Sequence, residues 1–269
     1  DWKTRVGRGV ASEMPAFPLI LGWDISGTVA ALGADVRGLA AGDEVYGMIG
    51  FPQMGAAYAE YASALPAHLA RKPASLDHVA AAGVPLAALT AWQALFDAAD
   101  LRPGQSVLVH AAAGGVGHLA AQLARWRGAR VIGTASARNA GLLRELGVDQ
   151  IIDYTAGPFE AAVEPVDLVL DTVGGETLER SFAAVRPGGQ LISIVAEPDA
   201  GRARERGIAA RRILVEPNAA QLAEIAGLID SGALRPLVET VLPLAEARAA
   251  QELSEAGRTR GKIVLQVRG

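Results

Sequence analysis

The chain has 269 residues, 51% of them hydrophobic, with 25 Lys and Arg against 29 Asp and Glu for a formal net charge of −4. That is enough apolar material for one large domain or two modest ones, and the scattered charge excludes a nucleic-acid stripe or a polybasic membrane anchor. There is no cysteine, which excludes disulfides and thiolate metal sites, and no apolar run approaches the ~20 residues of a membrane span.

The chain opens "DWKTRVG", without Met, so it is expected to be a piece that lacks its true start. No signal-peptide pattern is present, and a cytoplasmic location is expected. From Asp1 to about Pro85, short β-like runs ("GTVAAL", "DEVYGMI", "AYAEYAS") alternate with Gly and Pro turns. From about Gln105 the texture becomes strand, helix, strand, helix. Predicted strands are 106–110, 130–135, 150–154, 167–172, 190–195 and 212–217. They are short, apolar and rich in Val and Ile, as parallel strands buried on both faces should be.

Helical patterns fill the gaps. Val116, Leu119, Ala120 and Leu123 recur on one face, and Leu142, Leu143 and Leu146 precede Gly147. "AAQLAEIAGLIDSG" ends at Gly232 and is followed by turns, a further helix and the final strand "KIVLQV". Alternating β and α units predict an α/β fold with an open, doubly wound parallel sheet of Rossmann type.

"SVLVHAAAGGVGHLAAQLAR" carries the strongest motif. In a βα unit the turn after the strand can hold a pyrophosphate. The backbone must approach closely, and the helix N-terminus offers N–H groups and partial positive charge. Ala112, Gly114 and Gly117 fill the fingerprint positions, with Gly115 and Val116 between the last two. The first position is Ala in place of Gly, which fits a tight turn if its φ stays negative. The alternative is a glycine-rich turn without a ligand.

The second strand runs into "TASARN", where an NAD-binding chain would carry an acidic residue for the ribose 2′-hydroxyl. Ser136 and Arg138 would instead welcome a 2′-phosphate, with Tyr154 beside it, so NADP(H) is the expected cofactor. A solvated Arg138 and a packed Tyr154 are the plainer alternatives. Val173 and Gly174 after the fourth strand, and Ile194 with Val195 at the end of the fifth, fall at carboxyl ends of strands, where an open α/β sheet binds its ligand.

"GWDISGTVAALGADVRGLAAGDEVYGM", "LTAWQAL", "LRPGQSVLVHAAAGGVGHLAAQLAR", "IDYT", "DLVLDTVGG" and "RGKIVLQV" together resemble the medium-chain dehydrogenase/reductase superfamily. Within it they resemble the zinc-free quinone oxidoreductase and alkenal/enone reductase branch. The resemblance implies a GroES-like β-rich catalytic domain from 1–85 and 217–269, with its first strands lying before Asp1. A Rossmann NADP-binding domain over 86–216 is inserted into it.

Zinc members carry a His-Glu pair where this chain has Trp23-Asp24, and His68, His78, His110 and His118 lack metal spacing. No metal is expected. The implied reaction is hydride transfer from NADPH to a quinone or to the β-carbon of an α,β-unsaturated carbonyl. The resemblance sets Lys3 near the nicotinamide ribose and the substrate oxygen, and Thr90 near the carboxamide; a solvated terminal lysine and a helix packed at the domain junction are the plainer alternatives. Tyr46 and Tyr58 are further proton-donor candidates, each with a barrel-core alternative. Other readings are a cofactor-binding paralogue with vestigial catalysis and an enoyl-reductase module of a larger synthase. Expected partners are a small carbonyl or quinone substrate and a second copy in a homodimer, with no nucleic acid or membrane.

Overall fold

A computed structural model describes residues 1–15 and 17–267. The chain divides into two compact units, Asp1–Leu89 with Glu216–Gly269, and Thr90–Val215. The first unit begins with α1 (Trp2–Arg5), β1 (Asp24–Thr28), β2 (Glu44–Met48), β3 (Leu69–Arg71) and α2 (His78–Ala82). The division then falls inside α3 (Pro85–Trp92), where no Gly or Pro turn marks it in the sequence. The three strands pair antiparallel in the order β1-β2-β3. Asp77 caps α2 by accepting from the Ala80 amide at 2.7 Å.

The segment 57–63 was expected to be a strand and is not. The amides of Ala57 and Tyr58 bond to the carbonyls of Gly22 and Leu21, but Ala59 N then turns back to Ala57 O at 2.8 Å, which ends the extension.

The second unit runs β4 (Ser106–Val109), α4 (Gly117–Trp126), β5 (Arg130–Ala135), α5 (Ala140–Glu145), β6 (Gln150–Asp153), β7 (Val166–Asp171), α6 (Gly175–Ser181), β8 (Val185–Ser193), α7 (Ala200–Glu205) and β9 (Ala209–Arg212). Its strands form one parallel sheet in the order β6-β5-β4-β7-β8-β9. The chain winds outward from β4 to β6, then starts again on the other side with β7. The β4/β7 boundary is therefore the switch point, and a crevice at the strands' carboxyl ends is the expected ligand site.

The central strands carry almost no polar face. Leu108, Ile132, Val169 and Leu191 are fully buried, packed with Phe159, Leu178 and Phe182 in one core. The last strand was expected at 212–217. β9 lies earlier, at the sheet edge, where one side has no partner strand and the residues are largely exposed. The apolar run Ile213–Val215 continues past it, with Ile213 N still bonded to Ser193 O at 2.9 Å.

The chain returns to the first unit through α8 (Ala219–Asp230), β10 (Val238–Pro243), α9 (Ala247–Glu255) and β11 (Lys262–Gln266). Asn218 caps α8 by accepting from the Gln221 amide at 3.0 Å. β10 stands where turns were expected and pairs parallel with β11. Its side chains alternate between partly buried and exposed along the strand, the period-2 pattern of a strand with one covered face. Among the described residues no helix is long and apolar enough to cross a membrane.

Candidate active site

The loop between β4 and α4 sits at the switch point. An ideal Cβ on Gly117 would lie 2.2 Å from the Ala111 carbonyl oxygen and 2.8 Å from Ala112 Cα. Helix α4 therefore presses directly onto the loop backbone, a contact that only glycine permits. The N-cap Val116 offers no side-chain bond to the first turn, and the first amides of a helix have no intrahelical acceptor. His118 donates from Nδ1 to the Gly114 carbonyl at 2.9 Å and so fixes the loop's far side.

The departure at Ala112 has a structural reason. The left-handed turn falls one residue earlier, on Ala111 at φ 46°. Ala112 can carry a Cβ because Gly133 on β5 has none: a Cβ there would meet Ala112 Cβ at 2.8 Å.

Beneath the loop lies a buried polar group that the sequence analysis did not single out. His110 is 1% exposed. Its Nδ1 is 3.1 Å from Thr134 Oγ1 and its Nε2 is 2.9 Å from Ser181 Oγ. Thr134 Oγ1 also accepts from the Ala111 amide at 3.1 Å, and Ala112 N bonds to Thr134 O at 2.9 Å. Burial lowers the His110 pKa from 6.5 to about 4, so the ring is neutral near pH 7. The readable signal was a histidine and a threonine interrupting two otherwise apolar buried strands.

The carboxyl ends of β5 and β6 are adjacent, since Ala135 pairs with Asp153. Ser136 and Arg138 follow β5, and Tyr154, 56% exposed, follows β6. These three candidates therefore lie on neighbouring strand ends. The nearby Asp153 carboxylate accepts the amide and hydroxyl of Thr155 at 2.9 and 2.7 Å. It also holds the Ala137 amide, and these bonds keep its pKa below the ordinary carboxylate range. It orders the Ser136–Arg138 turn.

At the ends of β7 and β8, fully buried Asp171 accepts from the amides of Val173 and Gly174 at 3.0 and 2.9 Å, and from Ser193 Oγ at 2.7 Å. Ser193 Oγ in turn accepts from the amides of Val195 and Ala196. Gly174 has φ 80°, and a Cβ there would meet Val195 Cγ1 at 2.9 Å. The structure thus brings Val173, Gly174, Ile194 and Val195 together on one wall. Thr90 is buried in α3. Trp92, its neighbour in the sequence motif, packs edge-on against Phe96 at 4.9 Å.

In the first unit the donor candidates separate. Tyr46 is corrected to a core residue: it is fully buried and its hydroxyl donates to the Leu222 carbonyl at 2.6 Å. That burial pushes its phenol far above the ordinary value. Tyr58 is partly exposed, bonds to Gln251, and is also raised by burial, so it stays protonated and able to donate. Lys3 is partly buried in α1.

At the position of the zinc members' ligand pair, Trp23 Nε1 donates to Gln53 O at 2.7 Å. Asp24 accepts from the Leu86 amide at 2.7 Å and Lys262 Nζ at 3.3 Å. His78 bridges Ser26 at 2.8 Å and Glu44 at 3.0 Å, and His68 accepts from the Gly50 amide at 3.3 Å. Among the described residues no three His, Asp or Glu converge as a metal site.

Two family models match the chain. One, described as "Alcohol dehydrogenase GroES-like domain", matches residues 1–74, and one described as "Zinc-binding dehydrogenase" matches residues 146–265. A 2-methylene-furan-3-one reductase of Solanum lycopersicum is 34% identical over 98% of this chain and 68% of its own. The solved structure of the quinone oxidoreductase from Coxiella burnetii is 39% identical with TM-score 0.94, covering 100% of this chain and 86% of that one. The Escherichia coli quinone oxidoreductase solved with NADPH is 28% identical with TM-score 0.84, covering 94% and 84%.

Proposed function

The chain belongs to the medium-chain dehydrogenase/reductase superfamily, in its branch of quinone oxidoreductases and alkenal/enone reductases, and we propose that it is an NADP(H)-dependent, zinc-independent oxidoreductase of that branch. The observation that carries the reading is the Gly117 contact, a cradle that any Cβ would fill, at the head of an uncapped helix on the sheet's switch point. The residues present fit a dinucleotide.

When bound, the cofactor supplies the hydride, which goes to a quinone or to the β-carbon of an α,β-unsaturated carbonyl. The amides of Gly115, Val116 and Gly117 hold the pyrophosphate, with Ala112 and Gly114 shaping the turn. Ser136, Arg138 and Tyr154 take the 2′-phosphate; the guanidinium supplies the charge-assisted bonds. Val173, Gly174, Ile194 and Val195 form an apolar wall for the nicotinamide, and Thr90 its polar edge. Lys3 or Tyr58 donates to the acceptor's oxygen as negative charge develops there, and the proton that completes the two-electron reduction passes through that donor. Tyr46 has no part in this.

Steady-state oxidation of NADPH and NADH against a panel of quinones, enals and enones, with and without a chelator, tests the reading. Turnover with NADPH that survives chelation supports it, and activity restored only by Zn²⁺ contradicts it. The same reading carries a homodimer and a cytoplasmic location, which light scattering and cell fractionation test.

A further inference from the structure

The bonds around His110 admit one ordering of protons. Ser181 Oγ donates its proton to the Thr177 carbonyl at 2.6 Å, so toward His110 it can only accept, and Nε2 must carry the ring proton. A neutral ring protonated at Nε2 has Nδ1 as an acceptor, and Thr134 Oγ1 donates to it. The Thr134 oxygen is then left to accept the Ala111 amide. One chain of bonds runs from Ala111 N–H through Thr134, His110 and Ser181 to α6.

It ties the β4–α4 loop to the last turn of α6. Ala111 is the left-handed residue of the loop at φ 46°, a conformation that strains a residue with a Cβ. Helix α6 begins after Gly174. Thr172 Oγ1 adds a bond to the His110 carbonyl at 2.7 Å. The charged groups facing the ring are Asp171 on β7, Arg180 on α6 and Glu160 in the turn Phe159–Ala161. Phe159 packs edge-on against the ring at 4.5 Å.

We propose that His110, as a neutral imidazole held in one tautomer, is the positioning residue that locks the Ala111 turn of the phosphate-binding loop through Thr134. Cofactor affinity then depends on a side chain the cofactor does not touch. The proposal rests on the reading of this loop as a pyrophosphate site.

Wild-type protein, Thr134→Val, Thr134→Ser and His110→Leu are each titrated with NADPH and melted thermally. Thr134→Val and His110→Leu are expected to weaken NADPH binding about tenfold, as loss of one buried hydrogen bond gives. Thr134→Ser keeps the hydroxyl and restores affinity to within about threefold, less than half that free-energy change. Adenosine 2′-monophosphate carries the 2′-phosphate without the pyrophosphate. It should bind wild type and Thr134→Val alike, a contrast that a general loss of structure would not produce.

If His110→Leu does not fold, Thr134→Val decides. Folded Thr134→Val with wild-type NADPH affinity, or equal weakening by Val and Ser, would overturn the proposal. Wild-type protein that binds no NADPH would overturn the functional reading instead.

Discussion

Asp171 and Ser193, on neighbouring parallel strands, share a hydrogen bond of 2.7 Å between fully buried side chains, and through it both turns of the apolar wall are tied to one carboxylate. Asp171→Ala would strand the Val173 and Gly174 amides and the Ser193 hydroxyl together. Leaving buried donors without acceptors costs ~1–3 kcal/mol each when they cannot reach water. The expected loss is about 3 kcal/mol in urea unfolding. Equal stability of wild type and Asp171→Ala would show that the turns do not depend on this carboxylate.

Gly117→Ala adds one methyl where an ideal Cβ would lie 2.2 Å from a backbone oxygen. The helix must move off the loop, and its amides act only at hydrogen-bond range. Overpacking costs ~1–3 kcal/mol of stability. NADPH affinity should fall at least tenfold, with Gly117→Val worse than Ala. Fluorescence titration beside a thermal melt separates the two effects.

Arg138→Ala should raise KM for NADPH by roughly ten- to a hundredfold, the worth of a charge-assisted contact, and leave that for NADH nearly unchanged. The motive is the acid-free turn after β5 that carries Ser136 and Arg138 beside exposed Tyr154. Parallel shifts for both cofactors would remove Arg138 from the 2′-phosphate.

Stability should fall on mild acidification because His110 is held neutral. Its folded pKa, about 4, lies below the ordinary 6.5. Between those values the unfolded chain binds the extra proton. The contribution is therefore whole above pH 6.5 and is lost as pH falls toward 4, to a total of about 3 kcal/mol. Glu160 is held below its ordinary 4.5 by the Arg180 guanidinium, so its contribution is present above that value and is lost only as pH falls below it. Denaturant unfolding between pH 7 and 5 should show a slope in wild type that His110→Asn lacks.

The nucleotide-binding half was legible because its signals are local. A glycine pattern set between a buried apolar run and an amphipathic helix has few other readings, and each strand end locates its own turn residues. What failed was what depends on partners far along the chain. His110 meets Thr134 and Ser181, 24 and 71 residues away, and no spacing rule joins them. The depth of Tyr46 follows from the Leu222 carbonyl, 176 residues on. The edge strand β9 was misplaced toward the apolar run beside it, because an edge strand need not be apolar. β10, where turns were expected, is held by its pairing with β11, a partner some 24 residues on in the sequence (Val238 with Lys262).

The central claim is hydride transfer to a quinone or to the β-carbon of an enone, never to the carbonyl carbon, and the most direct test follows the hydride itself. Wild-type protein is run with NADPH carrying deuterium at the transferable position of the nicotinamide and a simple enone, and the product is read by mass spectrometry and NMR. The account predicts a saturated ketone with deuterium on the β-carbon. An allylic alcohol with deuterium on the former carbonyl carbon would contradict it, because that is direct carbonyl reduction.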